Sequence, residues 1–293
     1  MKDIFSILPK DKVFYNEPMN NHTTFKIGGP SDVLFCPTRI HEVIKCINLC
    51  KKNNINFYIL GNGSNILVKD DGYRGVIIKT TGINSIDKQM DMFYIGAGQS
   101  LENISNYFLE HEYTGFEFAC GIPGSFGGAI YMNGGAYGSE IKDVVQEVSI
   151  LKDDKIVTYT NDQMQFGYRT SVIKNTDLVI LGASLKLEKG NYLDIKEKID
   201  DLTYRRESKQ PLEYPSAGSV FKRPSGDFAG RLIQESNLQG VAIGGAKVSE
   251  KHAGFIINYN NATAQDVIDL ILYIQHTVNE KFNIMLEREL IIL

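Results

Sequence analysis

Residues 121–138 read "GIPGSFGGAIYMNGGAYG", and seven of these eighteen residues are glycine. Glycine loses more backbone freedom on folding than any other residue, so a chain gathers it where the backbone takes positive φ or lies close against another group. Successive N–H groups in such turns form a concave, electropositive nest that suits phosphate. The segment therefore predicts either a set of tight turns or a loop that binds an anion.

A second glycine cluster, Gly61-Asn62-Gly63-Ser64-Asn65, follows a strand-like run. "GNGSNI" lacks the third glycine of the dinucleotide fingerprint, no GxxxxGK[ST] exists, and "PGSFGG" is not a GxSxG nucleophile elbow. Either cluster alone is interpreted as a tight turn, but the two together favour a pyrophosphate ligand. Short polar side chains in both clusters are expected to donate to its oxygens: Asn62, Ser64, Asn65, Ser125 and Asn133.

The composition argues against several classes of protein. The 293 residues carry a net charge of −4, which gives no basic patch for a nucleic acid. No apolar run approaches the roughly 20 residues that span a bilayer. The N-terminus, "MKDIFSILPKDK", is too short and too charged for a signal peptide, so we expect a cytoplasmic protein. Without an export signal we expect no disulfide, and since HxxxH and HExxH spacings are missing we expect no metal site.

Hydrophobic periodicity predicts an α+β chain with a lobe boundary near Gly190. Helices are predicted over residues 39–52, 101–112, 192–208, 227–240 and 263–282. Their predicted N-terminal capping residues include Thr38, Ser100, Asp227 and Thr263. Strands, mainly antiparallel, are predicted within 56–68, 75–80, 92–98, 147–152, 155–160, 178–190, 244–258 and 286–293.

Three segments carry side chains that could act chemically. Ser219 lies in "KQPLEYPSAGSVFKRP", where Lys209 and Lys222 provide positive charge. Arg169 lies in the turn-like "FGYRTS", and Glu289 lies in the apolar "LERELIIL". Spacing alone favours a turn serine and a solvated surface arginine, and it leaves a solvent-facing glutamate open.

Eight stretches along almost the whole chain resemble the UDP-N-acetylenolpyruvoylglucosamine reductase (MurB) family. They are "NHTTFKIGGPSDV", "LGNGSNILV", "GFEFACGIPGSFGGAIYMNGGAYG", "FGYRTS", "QPLEYPSAGSVFKRP", "AGRLIQESNLQG", "GGAKVSEKHAGFIIN" and "EKFNIMLERE". The combination of "PSAGSVFKRP", "GIPGSFGGA" and the late "LERE" is highly specific. The short passage after "FGYRTS" resembles the shorter subtype, which lacks an extra tyrosine-bearing loop.

The resemblance implies an α+β fold with an FAD-binding lobe of the vanillyl-alcohol oxidase and p-cresol methylhydroxylase type, plus a C-terminal α+β substrate-binding domain. The expected division is 1–82 and 83–190 for the two FAD-binding subdomains and 191–284 for the substrate domain, with the strand 285–293 packing back on the first subdomain. FAD is then expected to contact two sets of residues: Gly61, Asn62, Gly63, Ser64 and Asn65, and Gly121, Pro123, Gly124, Ser125, Gly127 and Gly128.

The resemblance also implies a reaction. NADPH reduces FAD, and the reduced flavin delivers hydride to the enolpyruvyl group of a UDP-sugar in peptidoglycan precursor synthesis. Arg169 matches the arginine that binds the substrate carboxylate, where a planar guanidinium fits in two bonds. Ser219 matches the proton donor. Glu289 matches the glutamate that stabilises the enol form, and its apolar neighbours favour a raised pKa.

Lys209, Tyr168 and Lys222 are expected to contact the substrate. Two other functions stay open at this point. One is an oxidase or dehydrogenase of the same flavin fold that acts on an alcohol or a sugar. The other is a non-catalytic flavoprotein that binds a UDP-sugar. The sequence gives no oligomeric state.

Overall fold

The computed structural model describes residues 1–293. Its seven α-helices are α1 (Lys2–Phe5), α2 (Ile40–Lys52), α3 (Leu101–Glu110), α4 (Phe126–Met132), α5 (Tyr192–Lys209), α6 (Ala229–Glu235) and α7 (Ala264–Phe282). None of these helices has both the length and the apolar character that crossing a membrane would require.

The strands are mostly short. In chain order they are β1 (Val13–Pro18), β2 (Pro30–Phe35), β3 (Phe57–Leu60), β4 (Ile66–Leu67), β5 (Tyr73–Lys79), β6 (Ile86–Gln89), β7 (Met92–Gly96), β8 (Tyr113–Thr114), β9 (Gly135–Ala136), β10 (Ser139–Glu140), β11 (Val145–Lys152), β12 (Lys155–Thr160), β13 (Val179–Leu185), β14 (Glu188–Lys189), β15 (Ser216–Ser219), β16 (Ala242–Ile243), β17 (Ala246–Val248), β18 (Phe255–Asn258) and β19 (Ile291–Ile292).

The chain divides into two compact units. Unit 1 comprises Met1–Tyr15, Val33–Asn62 and Gly75–Arg206, and unit 2 comprises Asn16–Asp32, Gly63–Arg74 and Glu207–Leu293. The chain passes from one unit to the other within β1, β2 and β5. The boundaries expected after residues 82, 190 and 284 stay a prediction.

Unit 1 contains most of one large sheet, the whole of a second, and two short pairings, β9 with β10 and β8 with β14. The first has the strand order β1-β2-β5-β3, with β3 and β5 parallel. The second is antiparallel, with the order β12-β11-β13-β7-β6. The apolar stripe of α2, which includes Val43, Cys46 and Ile47, is buried in the core of the first sheet. Helices α3 and α4 contribute Phe108, Phe126 and other apolar side chains to the core of the second.

A buried carboxylate fixes α5 to the rest of unit 1. Glu117 is only 3% exposed, and it accepts hydrogen bonds from Thr114 Oγ1 at 2.6 Å, Gly115 N at 3.0 Å and Lys198 Nζ of α5 at 3.1 Å. Burial by itself would raise the pKa of Glu117, but these hydrogen bonds outweigh burial and lower the pKa.

Unit 2 is built on one antiparallel sheet with the order β15-β18-β17-β16. Helices α6 and α7 share its core. The apolar stripe expected along α7 is buried there except at Ile268, which is half-buried; its buried members are Val267, Leu270, Ile271, Ile274 and Val278. A side chain of this kind contributes roughly 1.5–3 kcal/mol when it is fully buried. The chain ends in β19, which pairs in parallel with β4.

The structure confirms that the five predicted helices exist, but α6 ends at Glu235 and not just before Gly240 as predicted, and two N-terminal capping residues differ from the prediction. Thr263 caps α7 as predicted, because its side chain accepts from Asp266 N. The N-cap of α2 is Arg39 rather than Thr38, and the Glu42 carboxylate accepts from the N–H groups of both residues. The N-cap of α6 is Phe228 rather than Asp227.

Two further predictions were wrong in detail. The terminal strand predicted over residues 286–293 is regular only at Ile291–Ile292. Earlier in this segment, Arg288 forms only an isolated bridge with Phe221 and no continuous ladder. The glycine-rich segment 121–138 is not a run of turns alone. Helix α4 occupies its centre, with Ser125 as N-cap and Asn133 in the left-handed conformation at the C-cap.

Candidate active site

Glycine in α4 allows the helix to pack directly on the end of β7. Gly127 N donates to Ala97 O at 2.7 Å. A Cβ added to Gly127 would lie 2.9 Å from Ala97 Cβ and 3.0 Å from Ala97 O, so no side chain fits there. Ser125 Oγ accepts from Gly128 N at 3.3 Å and completes the N-cap. In this segment, close packing within the protein accounts for Gly127.

The two glycine clusters meet within unit 1 at Gly61 and Ser125. A Cβ on Gly61 would overlap Ser125 Oγ and would lie 3.0 Å from Ser125 Cβ. The main-chain N–H groups of Gly61, Asn62, Gly121 and Ser125 have no hydrogen-bond acceptor within the protein. Ser125 is buried and the other three residues are half-buried, and a group of unpaired main-chain donors of this kind fits a phosphate or diphosphate ligand.

Main-chain hydrogen bonds of Gly124 hold the cluster in place, whereas the neighbouring Pro123 is exposed. Gly124 N donates to Ile122 O at 2.8 Å, and Gly124 O accepts from Leu101 N at 3.1 Å. The turn is therefore attached to the first residue of α3.

The Asn133 side chain forms hydrogen bonds within the protein and does not make the phosphate contact that was predicted for it. Its Nδ2 donates to Glu140 Oε2 and to Gly167 O, each at 3.0 Å, and its Oδ1 accepts from Lys142 N at 3.0 Å. The side chain is fully buried, and both amide hydrogens are used. The prediction that Asn133 donates to a phosphate was wrong.

Arg169 lies on a tight turn that the glycine-rich segment supports. Gly167 and Thr170 form the base of this turn through two main-chain hydrogen bonds of 3.0 and 3.3 Å. Arg169 has a φ of +54°, a conformation that costs a non-glycine residue about 1–3 kcal/mol. Its Nη2 donates to Gly135 O at 3.2 Å, and its guanidinium lies 5.3 Å from the centre of the Tyr168 ring. The arginine is therefore held in a defined orientation.

In unit 2, the remainder of the first glycine cluster lies beside the strand that carries Ser219. Gly63 O accepts from Thr24 N at 3.2 Å, and Thr24 Oγ1 donates to Ser216 O at 2.7 Å. Ser64 is half-buried in the same turn. Thr24 thus links the "TTFKIGG" segment to the first residue of β15.

The structure brings Ser219 and Glu289 together within unit 2. Ser219 is the last residue of β15 and pairs with Phe255 of β18. The next residue, Val220, donates its N–H to Gly254 O at 3.0 Å and accepts from Glu289 N at 2.8 Å. The segment after Ser219 therefore lies between β18 and the C-terminal segment, and it fixes the serine and the glutamate to the same short piece of backbone.

Glu289 is also attached to the first glycine cluster. Asn65 Nδ2 donates to Glu289 O at 3.2 Å, and Asn65 O accepts from Ile291 N at 3.1 Å. The flanking Leu286 and Leu290 are buried, whereas Glu289 is half-buried. The raised pKa expected for Glu289 stays a prediction.

The two lysines of the predicted site differ in their surroundings. Lys222 forms an ion pair with Glu287, and its N–H donates to Glu287 O at 2.8 Å. Lys209 is the last residue of α5 and is exposed. The ammonium of Lys222 is therefore already partnered, while that of Lys209 extends into solvent.

His252 is a residue of this region that sequence reasoning missed. Its Nδ1 accepts from Gly254 N at 3.1 Å, so the neutral ring carries its proton on Nε2. Burial lowers the pKa of His252 and favours this neutral form. A Cβ on Gly254 would lie 3.0 Å from His252 Cε1 and 3.9 Å from Ser219 Oγ. Metal-ligand spacing, the sequence pattern that concerns the histidines, does not reveal such a neighbour.

Comparison with known proteins gives matches along nearly the whole chain. Residues 31–159 match the FAD binding domain, and residues 210–293 match the C-terminal domain of UDP-N-acetylenolpyruvoylglucosamine reductase. The reductase of Caldanaerobacter subterraneus subsp. tengcongensis is 51% identical over 97% of this chain and 94% of its own length. That of Clostridium perfringens is 49% identical over 94% of this chain and 93% of its own.

Comparison with solved structures gives a match to the same family. The crystal structure of UDP-N-acetylenolpyruvylglucosamine reductase (MurB) from Thermus caldophilus has a TM-score of 0.82 and 30% identity, and it covers 96% of this chain and 98% of its own. A glucose dehydrogenase, Phl p 4.0202, shares the fold alone, with a TM-score of 0.51 and 10% identity over 64% of this chain and 44% of its own.

Proposed function

The chain belongs to the UDP-N-acetylenolpyruvoylglucosamine reductase family, and we propose that it reduces UDP-N-acetyl-3-O-(1-carboxyvinyl)-glucosamine to UDP-N-acetylmuramate, with FAD as bound cofactor and NADPH as reductant. The reaction supplies a precursor of peptidoglycan. The cytoplasmic location expected from the sequence is part of this proposal.

One observation carries the proposal beyond overall similarity. The family's serine and glutamate match Ser219 and Glu289, which lie 70 positions apart in the sequence. Main-chain hydrogen bonds through Val220 nevertheless place them on neighbouring segments of unit 2. A flavoprotein that only binds a UDP-sugar has no need for a hydroxyl and a carboxyl in this arrangement.

The residues present fit FAD. The unpaired N–H groups of Gly61, Asn62, Gly121 and Ser125 would bind the diphosphate. Gly63, Ser64 and Asn65 continue the same cluster in unit 2. When bound, FAD accepts two electrons from NADPH and supplies the hydride equivalent that adds to the terminal carbon of the vinyl group.

Arg169 would bind the carboxylate of the substrate. As hydride adds to the terminal carbon, negative charge develops on the adjacent carbon and spreads into that carboxylate. A guanidinium held in place by Gly135 O can stabilise this charge without reorganising. The positive φ of Arg169 and the hydrogen bonds around its turn are consistent with such preorganisation.

Ser219 Oγ would then donate a proton to the carbon next to the carboxylate. The hydride and the proton together saturate the double bond and balance the oxidation of NADPH. A protonated Glu289 would hydrogen-bond to the enol form, since an ionised carboxylate would oppose its charge. Lys209, Tyr168 and Lys222 stay predicted substrate contacts.

The proposal is tested with purified protein. It should bind FAD, show the flavin absorption spectrum, and oxidise NADPH only when the enolpyruvyl UDP-sugar is supplied. Protein that cannot be filled with FAD would contradict the proposal. NADPH oxidation that ignores the enolpyruvyl compound, with flavin reduction by an alcohol or a sugar, would instead indicate an oxidase or dehydrogenase of the same fold.

The role of Ser219 is tested by separating the two half-reactions. Ser219→Ala should leave flavin reduction by NADPH near normal and should slow flavin reoxidation by the enolpyruvyl substrate about 10²–10⁴-fold, the usual contribution of a general acid. Ser225→Ala, at an exposed serine nearby, serves as the control and should leave both rates unchanged. Equal losses in both half-reactions of Ser219→Ala would exclude a proton-donor role.

A further inference from the structure

Arg206, near the end of α5, carries a charge that no group in the protein neutralises. Its Nε is fully buried and has no hydrogen-bond partner, and its guanidinium forms no ion pair. Burial lowers the pKa of Arg206. The adjacent Arg205, by contrast, is exposed and forms an ion pair with Asp201 at 2.8 Å. Two neighbouring arginines of one helix thus have opposite surroundings.

The surroundings of Arg206 come from the glycine-rich segment. A Cβ added to Gly121 would lie 2.6 Å from Arg206 Cδ, so only glycine leaves room for the arginine at its present position. The ionisable groups near it are the Tyr137 hydroxyl, which donates to Leu202 O at 3.0 Å, and the Cys120 thiol. Both groups are neutral in their ordinary protonation states at pH 7, and no carboxylate pairs with the guanidinium.

An unpaired, partly buried cation is costly to a folded protein. The cost is offset where a bound anion replaces the missing partner, and a guanidinium suits phosphate oxygens because it offers several donors in a fixed plane. Gly121 N also has no acceptor within the protein. An unpaired amide, at Gly121, and an unpaired guanidinium, at Arg206, therefore belong to two residues that contact each other in unit 1.

We propose that Arg206 is a binding residue for the diphosphate of a nucleotide, and that this nucleotide is the flavin cofactor. The inference rests on the proposed function, because FAD is the diphosphate that the glycine clusters are expected to bind. The UDP moiety of the substrate also carries a diphosphate and is the other nucleotide to which Arg206 could bind. Arg206 supplies the positive charge that main-chain N–H groups alone do not provide.

The test compares Arg206→Met with Arg205→Met in protein stripped of flavin. Loss of a charge-assisted hydrogen bond predicts that Arg206→Met weakens FAD binding about 10- to 100-fold, measured by quenching of flavin fluorescence. The salt dependence of FAD binding should decrease as well. Thermal unfolding of the flavin-free protein should be unchanged or shifted upward, because the variant removes an unpaired buried charge. Arg205→Met should bind FAD like the wild type.

The outcomes separate the alternatives. If Arg206→Met binds FAD normally but the flavin-loaded variant binds free UDP more weakly, the diphosphate belongs to the substrate and the assignment to FAD is overturned. If Arg206→Met binds both FAD and UDP normally, the whole inference is overturned. A lower unfolding temperature with unchanged FAD affinity also overturns it, because it indicates that Arg206 has only a packing role.

A wild-type protein that binds no FAD would refute the proposed function itself. If Arg206→Met does not fold, Gly121→Ala displaces the guanidinium while retaining its charge, and it should also weaken FAD binding. Unchanged FAD affinity in a folded Gly121→Ala protein would then refute the inference.

Discussion

The contact between the two glycine clusters can be tested by Gly61→Ala. The new methyl group would overlap Ser125 Oγ and would lie 3.0 Å from Ser125 Cβ. Ser125 Oγ could rotate away only by giving up its hydrogen bond from Gly128 N, and Ser125 Cβ is fixed to the backbone, so we expect one of the two loops to move. Insertion of an extra carbon into a packed site typically costs 1–3 kcal/mol, and we expect a loss in the free energy of unfolding of about 2 kcal/mol.

The same geometry predicts that Ser125→Gly rescues this loss. The substitution removes both atoms that the new methyl group would meet. It also removes the cap of α4, but glycine at an N-cap costs only a few tenths of a kcal/mol relative to serine. The double variant should therefore be close in stability to Ser125→Gly alone. A double-mutant cycle should give a coupling energy of about 1–3 kcal/mol in favour of the pair.

Urea unfolding of the flavin-free protein provides the measurement, and FAD affinity provides a second one. The control is Gly230→Ala in α6, where the nearest atoms to a new Cβ are 3.6 and 3.8 Å away. Alanine in such a helical position is expected to stabilise by about 0.4–1 kcal/mol through the unfolded state. If the losses at positions 61 and 125 are additive, the loops do not touch as described, and the arrangement of unpaired N–H groups in unit 1 is refuted.

Two further predictions concern buried polar groups. Asn133→Ala removes three hydrogen bonds and should lower the free energy of unfolding by about 3 kcal/mol at roughly 1 kcal/mol each. Asn133→Ala should also lower kcat more than it raises KM, because the turn that carries Arg169 loses its hydrogen bond at Gly167 O. Unchanged kinetics would contradict a role of Asn133 in positioning Arg169. Glu117, whose pKa is lowered on folding, should contribute stability that is present above about pH 4.5 and lost as the pH falls further. Glu117→Gln should therefore flatten the decrease in unfolding free energy between about pH 5 and 3, and an unchanged pH profile would exclude the ionised carboxylate as a source of stability.

The sequence predicts those elements whose determinants are local. Helices α2 and α7 follow from apolar residues at helical spacing, and the capping box of α7 marks its first turn. The N-caps of α2 and α6 were each displaced by one residue. In α2, the Glu42 carboxylate takes the place of the expected hydroxyl of Thr38. Helix α4 was missed because Gly127 and Gly128 have low helix propensity. Its formation depends on packing against Ala97, which lies thirty positions away.

The chemistry of the site could be predicted only in part for the same reason. Family resemblance identifies Ser219 and Glu289, but no local pattern indicates that Val220 links them through hydrogen bonds. His252 and Arg206 become visible only when the fold shows which neighbours they have and which they lack. A buried guanidinium without a carboxylate is a property of tertiary structure, and no spacing in "LTYRRESK" distinguishes Arg206 from its paired neighbour.

The glycine-rich segment shows why a cluster of one residue type need not have one function. Gly127 allows α4 to approach β7, Gly135 provides the carbonyl oxygen that orients Arg169, and Gly121 makes space for Arg206. Only the third of these tasks points to a ligand, since the first two are satisfied entirely by protein atoms. Substitutions along the segment should therefore differ in kind. Changes at 127 should reduce stability with or without flavin, whereas changes at 121 should act through the affinity for FAD. One segment thus shapes both the predicted cofactor loop and the turn that holds the predicted catalytic arginine.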